Sequence, residues 1–415
     1  MRTGRIAISL FFPLTLCAGL LYGQGVPFLR FPASPDQVGM GGILTAIPSQ
    51  HSMAAIGNSA QLGLFTQDNF LSAGLYAPKT DRLPQYNLSG LTFNTMAVNA
   101  GHNLRDLLGL PVSFGAGYSR IYLDFGKFTL TNPYGPMPIG TFEGYDKSEQ
   151  LSFGLGIDYG IRVGLGMSHK WVESSLAPVG AEVESSTTGY AKANDFGMMV
   201  QLPVIRVASA LGAGTLEIVP GLKPLFDLNL GVAERNRGDR LTYSDAASAD
   251  LLPRTASVGA SVELGLDAHV WGTEWNLFSF LLAREAEQLL IAGSGTSADY
   301  ISGFGQIQFV HNVLEGHSTD LVDVRRGWQL HLAECVYIRG GSVSGAGDDN
   351  STSGFGIRLS GILKCLAFFS AGDVDRTWLG WALGTIDLQY DHASYGDPAG
   401  STFGSVNLVL KKTPW

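Results

Sequence analysis

Hydrophobic and polar residues alternate strictly along much of the chain. From Leu151 to Tyr159 every odd position is apolar, whereas the even positions hold Ser, Gly or Asp. Because successive side chains of a strand point to opposite faces, this segment predicts a strand with one apolar face and one small or polar face. The same alternation recurs at residues 163–168, 226–231, 258–267, 386–391 and 405–410. The pattern predicts antiparallel strands of one large sheet.

Two architectures give such strands in an exported protein: a soluble sandwich or solenoid, and a membrane barrel whose apolar face meets lipid. Many of the segments run about 10 residues, which is longer than most soluble strands and close to the length of a tilted membrane-spanning strand. Aromatic residues also lie near their ends, as interfacial girdles do. These are Tyr118, Tyr122, Trp171, Trp271, Trp275, Trp328, Trp378 and Trp381, and the sequence ends on Trp415. We therefore expect an all-β fold, a transmembrane antiparallel β-barrel over residues 69–415, with about 14 strands.

Residues 24–68 differ from the rest because they lack this alternation. They contain Gly39, Gly41 and Gly42 and the apolar stretch Met53–Ile56, which together predict short helices and turns. A segment of this length ahead of a barrel has its simplest place inside the lumen. We predict that residues 24–68 form an N-terminal plug.

The composition agrees with hydrophobic residues that are spread along the chain rather than grouped in long apolar runs. The chain is 45% hydrophobic but only 15% charged, and it has 54 Gly among 415 residues. After residue 25 no apolar run approaches the ~20 residues that a transmembrane helix needs. The net charge of −9 and the lack of a basic stripe exclude a nucleic-acid partner.

Residues 1–23 have the layout of a cleaved secretory signal peptide. Arg2 and Arg5 precede an apolar run from Ile6 to Tyr22, and the small residue Gly23 follows. A barrel with such a peptide is expected in the outer membrane of a Gram-negative bacterium, with outer-membrane lipid as a partner. Cleavage leaves two cysteines, Cys335 and Cys365, and their spacing leaves open whether they pair.

The N-terminal region resembles that of the PorV/PorQ group within the FadL-like superfamily of outer-membrane proteins. The similarity rests on Gly39-Met40-Gly41-Gly42 and on Asn58-Ser59-Ala60, where the group has Asn-Pro-Ala. It continues through residues 125–160, 327–341 and 352–361. The missing Pro leaves the turn after Asn58 less rigid, because Pro would fix φ there.

This resemblance implies a FadL-like barrel with 14 strands and a short helical plug in its lumen. The plug or hatch residues would be Gly39, Met40, Gly41, Gly42, Asn58, Ser59 and Ala60. The glycines would let the backbone turn tightly, and Asn58 would hydrogen-bond backbone groups of the inner wall. An ordinary periplasmic turn is the alternative for these residues.

The resemblance also implies two roles. The first is a barrel or shuttle of the type IX secretion system, with secretion subunits or secreted cargo as partners. The alternative is a FadL-type transporter of hydrophobic small molecules such as long-chain fatty acids. Transport needs a contiguous apolar space inside the wall, and the Gly, Ser and Asp of the inward positions supply little of it. The polar loops 173–190, 234–254 and 341–353 suit protein contact, so the sequence favours secretion.

Glycines opposite the apolar residues, such as Gly154, Gly156, Gly164 and Gly166, have two interpretations. They make room in the lumen for a plug or ligand, or they relieve crowding on the concave inner face. No chemistry-bearing motif stands out elsewhere. The 8 histidines are scattered and no Gly-x-Ser-x-Gly elbow occurs, so we expect neither an enzyme, a metal site nor a cofactor.

Overall fold

The structure is a computed structural model, and the whole description concerns the residues that it places. These are residues 25–76, 80–81, 91–131, 137–176, 187–214, 216–243, 249–270, 273–293, 298–345, 349–370, 385–396 and 402–411. The predicted signal peptide, Trp271, Trp378, Trp381 and Trp415 lie outside them.

The chain forms a closed antiparallel β-barrel of 14 long strands, as the alternation predicts. The first seven are β1 (Asn69–Tyr76), β2 (Thr92–Asn103), β3 (Val112–Thr131), β4 (Pro138–Asp158), β5 (Arg162–Leu176), β6 (Thr187–Pro203) and β7 (Leu222–Gly238). The others are β8 (Thr255–Val270), β9 (Thr273–Leu289), β10 (Val322–Leu332), β11 (Val336–Ser344), β12 (Asn350–Arg358), β13 (Ile386–Tyr395) and β14 (Thr402–Lys411).

Each strand pairs with the next one along the chain, and β1 pairs with β14 to close the barrel. In that closing pair, Asn69 lies opposite Lys411 and Tyr76 lies opposite Ser405. We call the end of the barrel with Asn69 and Lys411 the terminal end, and the opposite one the loop end. Short two-residue strands, Thr80–Asp81, Leu241–Thr242 and Ala249–Asp250, extend the sheet at the loop end.

The two faces of the wall follow the alternation in the sequence. In β4, Leu151 and Phe153 are 39% and 44% exposed on the outer face, whereas Ser152 between them is 2% exposed. In β14, Val406 is 47% exposed and its neighbour Asn407 only 1%. The outer belt is therefore apolar, as contact with lipid requires, because charge at mid-bilayer costs about 2–4 kcal/mol.

Strand ends differ from the sequence prediction in two ways. The strands β3 and β4 have 20 and 21 residues, which exceeds the ~9–11 that span a bilayer. Strands also continue into the three loops predicted at 173–190, 234–254 and 341–353, so those loops are shorter than expected. Their centres, residues 177–186, 244–248 and 346–348, lie outside the described residues.

Trp275, which the sequence places in an interfacial girdle, does not face lipid. It is 8% exposed, and its indole N–H donates to the Ala333 carbonyl at 3.1 Å.

Several short helices accompany the strands. Residues 25–68, which we call the N-terminal segment, contain a 3-10 turn at Pro27–Arg30 and three helices: α1 (Pro35–Gly39), α2 (Ala54–Gly57) and α3 (Gln61–Asp68). Further helices are Arg105–Leu108, Val204–Ala208 and Leu359–Ser370. No helix within the described residues is long and apolar enough to cross a membrane.

The two cysteines come close together but are free thiols. Cys335 lies in the turn between β10 and β11, and Cys365 lies in the helix Leu359–Ser370. Their Sγ atoms are 3.1 Å apart. This distance exceeds the ~2.03–2.05 Å of a disulfide bond, so the structure leaves the two cysteines unpaired.

Candidate functional site in the occupied lumen

The N-terminal segment lies inside the barrel, because wall residues from all sides hydrogen-bond to it. Donors from the wall include Asn99 in β2, Gln150 in β4, Ser261 in β8 and Arg325 in β10. Acceptors from the wall include Glu285 in β9, Thr352 in β12 and Asn407 in β14. Only a segment enclosed by the wall reaches strands spread around the whole barrel.

The segment runs the length of the lumen. At the loop end, the Gly25 amide donates to the Leu251 carbonyl at 2.9 Å. At the terminal end, the Asn103 side chain donates to the Gln67 carbonyl, also at 2.9 Å. The first described residues of the segment are therefore next to the loops, and its last residues lead directly into β1.

At the loop end the lumen is apolar. The wall residues Phe93, Leu123, Val172, Ala193, Ala393 and Phe403, which we call the loop-end pocket, belong to one buried cluster. The N-terminal segment fills this pocket with Val26, Phe28 and Leu29, and Phe28 is 0% exposed. Phe31 adds an edge-to-face contact with Phe93, with ring centroids 5.8 Å apart.

This apolar wall corrects one part of the sequence analysis. The sequence predicts a lumen with few apolar side chains because the inward positions of segments such as Leu151–Tyr159 hold Gly, Ser and Asp. Towards the loop end the same inward rows become apolar, as Val172 in β5 shows with 1% exposure. The strands are longer than predicted. The apolar inward residues lie in parts of the strands that the sequence prediction assigned to loops or did not assign to any element.

A cluster of buried charges fixes the segment just below this pocket. Arg30 donates to Glu287 at 3.0 Å and to Asp323 at 3.1 Å. Glu287 also binds Arg325, at 2.9 Å, and Arg235. Glu287 is 0% exposed, so the guanidinium groups of these arginines, rather than water, compensate the charge of its carboxylate.

Glu285, next to this cluster, binds the backbone of the segment directly. Its carboxylate accepts hydrogen bonds from the amides of Leu44 and Thr45 at 2.8 and 2.7 Å. Arg325 donates to the same carboxylate at 3.1 Å and to the Gly42 carbonyl at 3.2 Å. Arg325 thus links the wall acids to the chain inside the barrel.

The glycine turn proposed from the sequence packs against β10, β11 and β12. Gly41 and Gly42 have φ values of +76° and +78°, which L side chains rarely adopt. The Gly41 amide donates to Thr352 at 3.0 Å. Gly39 contacts Gly354, and the Met40 side chain, 3% exposed, belongs to a small apolar cluster with Leu281.

The second predicted group meets a different part of the wall, at β5 to β7. The side-chain NH2 group of Asn58 donates to the backbone carbonyls of Thr45, Met198 and Val232 at 2.9, 3.4 and 3.5 Å. Its side-chain oxygen accepts from the Ala60 amide at 3.1 Å. Ser59 and Ala60 are both buried. The structure therefore does not bring the two groups together: they contact separate regions of the inner wall.

Four wall glycines form the surface on which Ser59–Leu64 lies. Gly154 pairs with Gly166, and Gly156 pairs with Gly164, across β4 and β5. A Cβ atom added at Gly154 would lie 2.6 Å from the Gly63 amide nitrogen, and one at Gly164 would lie 2.6 Å from the Ala60 carbonyl oxygen. These distances are too short for a side chain, so Gly permits the close backbone approach.

A polar cavity of about 340 Å³ lies between the segment and the wall. Charged residues line it: Asp36, Glu263, Glu334, Arg339, Arg358 and Lys411. Burial tends to raise the pKa of the Asp36 carboxyl, but the charges of His51 and Arg339 and a hydrogen bond from Ser34 outweigh it and hold the pKa below its ordinary value. Asp36 is therefore an anion at neutral pH.

Sequence reasoning missed the charged cluster and the apolar pocket. A signal for the cluster was present, because Glu285 and Glu287 occupy inward positions of β9, where a charge in a barrel needs a partner. Nothing in the sequence identified Arg30 as that partner, since it lies 257 residues from Glu287 along the chain.

A closed antiparallel barrel with an apolar outer belt and a filled lumen defines this chain as an outer-membrane β-barrel protein. No family model and no curated protein matches the sequence. The PorV/PorQ resemblance therefore stays a prediction.

Several solved structures of outer-membrane proteins are similar at low identity. CymD, a monoaromatic hydrocarbon channel, has a TM-score of 0.40 and 11% identity, and the match covers 92% of this chain and 98% of that chain. The toluene transporter TodX of P. putida has a TM-score of 0.37 and 10% identity, with the same coverage. The translocator domain of the autotransporter NalP from Neisseria meningitidis has a TM-score of 0.35 and 10% identity, covering 83% of this chain and 88% of that chain.

Proposed function

We propose that this protein takes small hydrophobic molecules into the barrel from the loop end, and that the start of the N-terminal segment occupies their binding site until they displace it. The loop-end pocket is the observation that carries this proposal. Its wall residues belong to six strands and form one apolar surface inside the lumen. Such a surface facing the inside of a barrel suits a hydrophobic ligand.

Phe28 and Leu29 act in this account as a built-in occupant. They are 0% and 3% exposed, and they lie on the segment's first described turn, next to the loops. Removing a Phe side chain from such a pocket costs about 1.5–3 kcal/mol. A hydrophobic ligand that buries a similar area offsets this cost, so exchange between occupant and ligand is energetically feasible.

The secretion role implied by the resemblance depends on loops for protein contact. The centres of the three loops named above lie outside the described residues, so that role stays a prediction. The filled apolar pocket gives the transport alternative its specific support.

Two substitutions within the same buried cluster test the proposal in opposite directions. Phe28→Ala weakens the occupant, and we expect it to tighten binding of a hydrophobic probe about 10- to 100-fold, from the ~1.5–3 kcal/mol that the ring contributes. Phe93→Ala removes part of the wall, and we expect it to weaken binding. The measurement is a fluorescence titration with N-phenyl-1-naphthylamine on the protein in lipid nanodiscs, with empty nanodiscs subtracted.

The matched pair separates pocket exchange from general loosening of the barrel. Both side chains are 0% exposed, so both substitutions leave a comparable void. Heat-modifiable migration in electrophoresis checks that each variant is folded. Probe binding that is equal in the parent and both variants, or weaker in Phe28→Ala, would show that the pocket is not the binding site.

A further inference from the structure

The long connection between β9 and β10 folds back onto the outside of the barrel. Its π-helical turn Phe309–Leu314 lies beside β9, with Val313 packed against Ala286 and Val322 at 1% exposure. The turn packs on the outer face of the described strands, and the proposed transport does not use it.

Two arginines on the outer face of the wall hold the turn in place. Arg284 of β9 donates to the Leu314 carbonyl. Arg326 of β10 donates to the Gly316 carbonyl at 2.6 Å. Both guanidinium groups are engaged by carbonyl oxygens at the C-terminal end of the turn, so the chain after Leu314 has a fixed course.

Three side chains with metal-binding atoms converge where this turn ends. The Nδ1 atom of His311 lies 3.2 Å from Oε2 of Glu315, and Nδ1 of His317 lies 3.4 Å from the same oxygen. One ligand atom from each residue lies within 4.8 Å of the other two. Ligands that bind Zn²⁺ tetrahedrally at about 2.0 Å are about 3.3 Å from each other, so both measured distances fit a shared ion.

The backbone holds these residues together before any ion binds. Gly316 has a φ of +80° and reverses the chain, which lets the His317 amide donate to the His311 carbonyl at 3.0 Å. Asn312, 1% exposed, fastens the same turn. Its side chain accepts from the Gln308 amide and donates to the His317 carbonyl, each at 2.7 Å.

We propose that His311, Glu315 and His317 bind a divalent transition-metal ion of the zinc class on the outer surface of the barrel at its loop end. Two imidazoles and one carboxylate are typical ligands of Zn²⁺, with a fourth position left for water. The side chains are 45%, 51% and 62% exposed in the order His311, Glu315, His317, so an ion reaches them from solvent. Binding would tie the two ends of the turn together and stiffen the connection.

The sequence predicts no metal site because its histidines are scattered along the chain. His311 and Glu315 are four residues apart, as on one face of a helix, but His317 follows Glu315 after only one residue and departs from that spacing. The π-helical turn and the reversal at Gly316 bring them together, and neither is evident from the residues alone.

Zinc titration of the untagged full-length protein, after chelator treatment, tests this site. We expect calorimetry to give one Zn²⁺ per barrel. We also expect a Co²⁺ complex whose visible absorption disappears when Zn²⁺ displaces the bound Co²⁺. His311→Ala and His317→Gln are each expected to weaken Zn²⁺ binding by at least about 10- to 100-fold, the loss that even an outer-shell change causes. His102→Ala, at another exposed histidine, should bind like the parent.

The exposed positions of the ligands keep this test independent of folding. Far-UV circular dichroism and heat-modifiable migration are expected to be the same in all three variants. A parent protein that binds no Zn²⁺, or equal binding in the parent, His311→Ala and His317→Gln, would overturn the proposal.

Discussion

Deletion of residues 26–65 is expected to turn a barrel with a filled lumen into an open channel. These residues fill the lumen from the loop end almost to Asp68, and the wall around them is lined by small and polar side chains such as Gly154, Ser152 and Asn407. Without the segment, water occupies that space. In planar lipid bilayers we expect discrete, long-lived conductance steps from the deletion variant and none of comparable size from the parent protein.

The comparison requires that the shortened chain still closes its barrel. Strands β1 to β14 pair with each other and not with the segment, so refolding from detergent should give the same β-sheet circular dichroism. Only folded, heat-modifiable protein enters the measurement. Equal conductance of folded deletion variant and parent would mean that the segment does not block the lumen.

Arg325→Leu is expected to destabilise the barrel by about 3–5 kcal/mol, the usual cost of breaking a buried ion pair from one side. Arg325 is the charged partner of Glu285, which is 0% exposed, and it also binds Glu287 and the Gly42 carbonyl. Its loss leaves the Glu285 carboxylate with the two amides of Leu44 and Thr45. Unfolding in guanidinium chloride from lipid vesicles measures this loss.

Two controls show whether the uncompensated charge causes the loss. Adding Glu285→Gln to Arg325→Leu removes that charge but keeps a side-chain oxygen for the two amides, so most of the stability should return. Lys127→Ala breaks the ion pair between Lys127 and Glu143, whose side chains are 76% and 63% exposed, and should leave the free energy of unfolding almost unchanged. If Arg325→Leu and Lys127→Ala lower the free energy of unfolding by the same amount, the buried charge cluster does not stabilise the barrel.

The barrel was predictable because lipid imposes one rule on every strand. Positions such as Leu151 and Phe153 must be apolar wherever they meet lipid, whatever lies elsewhere in the chain, so the period of two is visible in the sequence alone. Closure follows because an open edge cannot be satisfied in a membrane. The inward glycines were also visible, because Gly154 and Gly156 break the side-chain pattern at regular positions.

The inside of the barrel was less predictable because its contacts join distant parts of the chain. Arg30 and Asp323 are 293 residues apart, and neither belongs to a local pattern that identifies the other. The apolar pocket depends on Phe31 meeting Phe93, which requires the course of the N-terminal segment to be known. Gly41 and Asn58 could be recognised as special residues, whereas the separate wall regions that they contact could not.

A reversible crosslink between the start of the N-terminal segment and the wall tests the central claim most directly. A Cβ atom at Gly25 would lie 3.0 Å from the Cβ of Asp250, close to the ~3.5–4.5 Å of a disulfide. Gly25→Cys with Asp250→Cys, in a background with Cys335→Ser and Cys365→Ser, can be refolded from a chain that starts at Gln24. Oxidation then holds Val26 and Phe28 in the loop-end pocket, and reduction releases them.

The measurement is binding of N-phenyl-1-naphthylamine to one sample before and after reduction. If hydrophobic ligands displace the start of the segment, the oxidised protein binds no probe and the reduced protein binds it as the cysteine-free parent does. Equal binding by the oxidised and reduced forms would contradict this account, because a pocket held shut by its own chain cannot also admit a ligand.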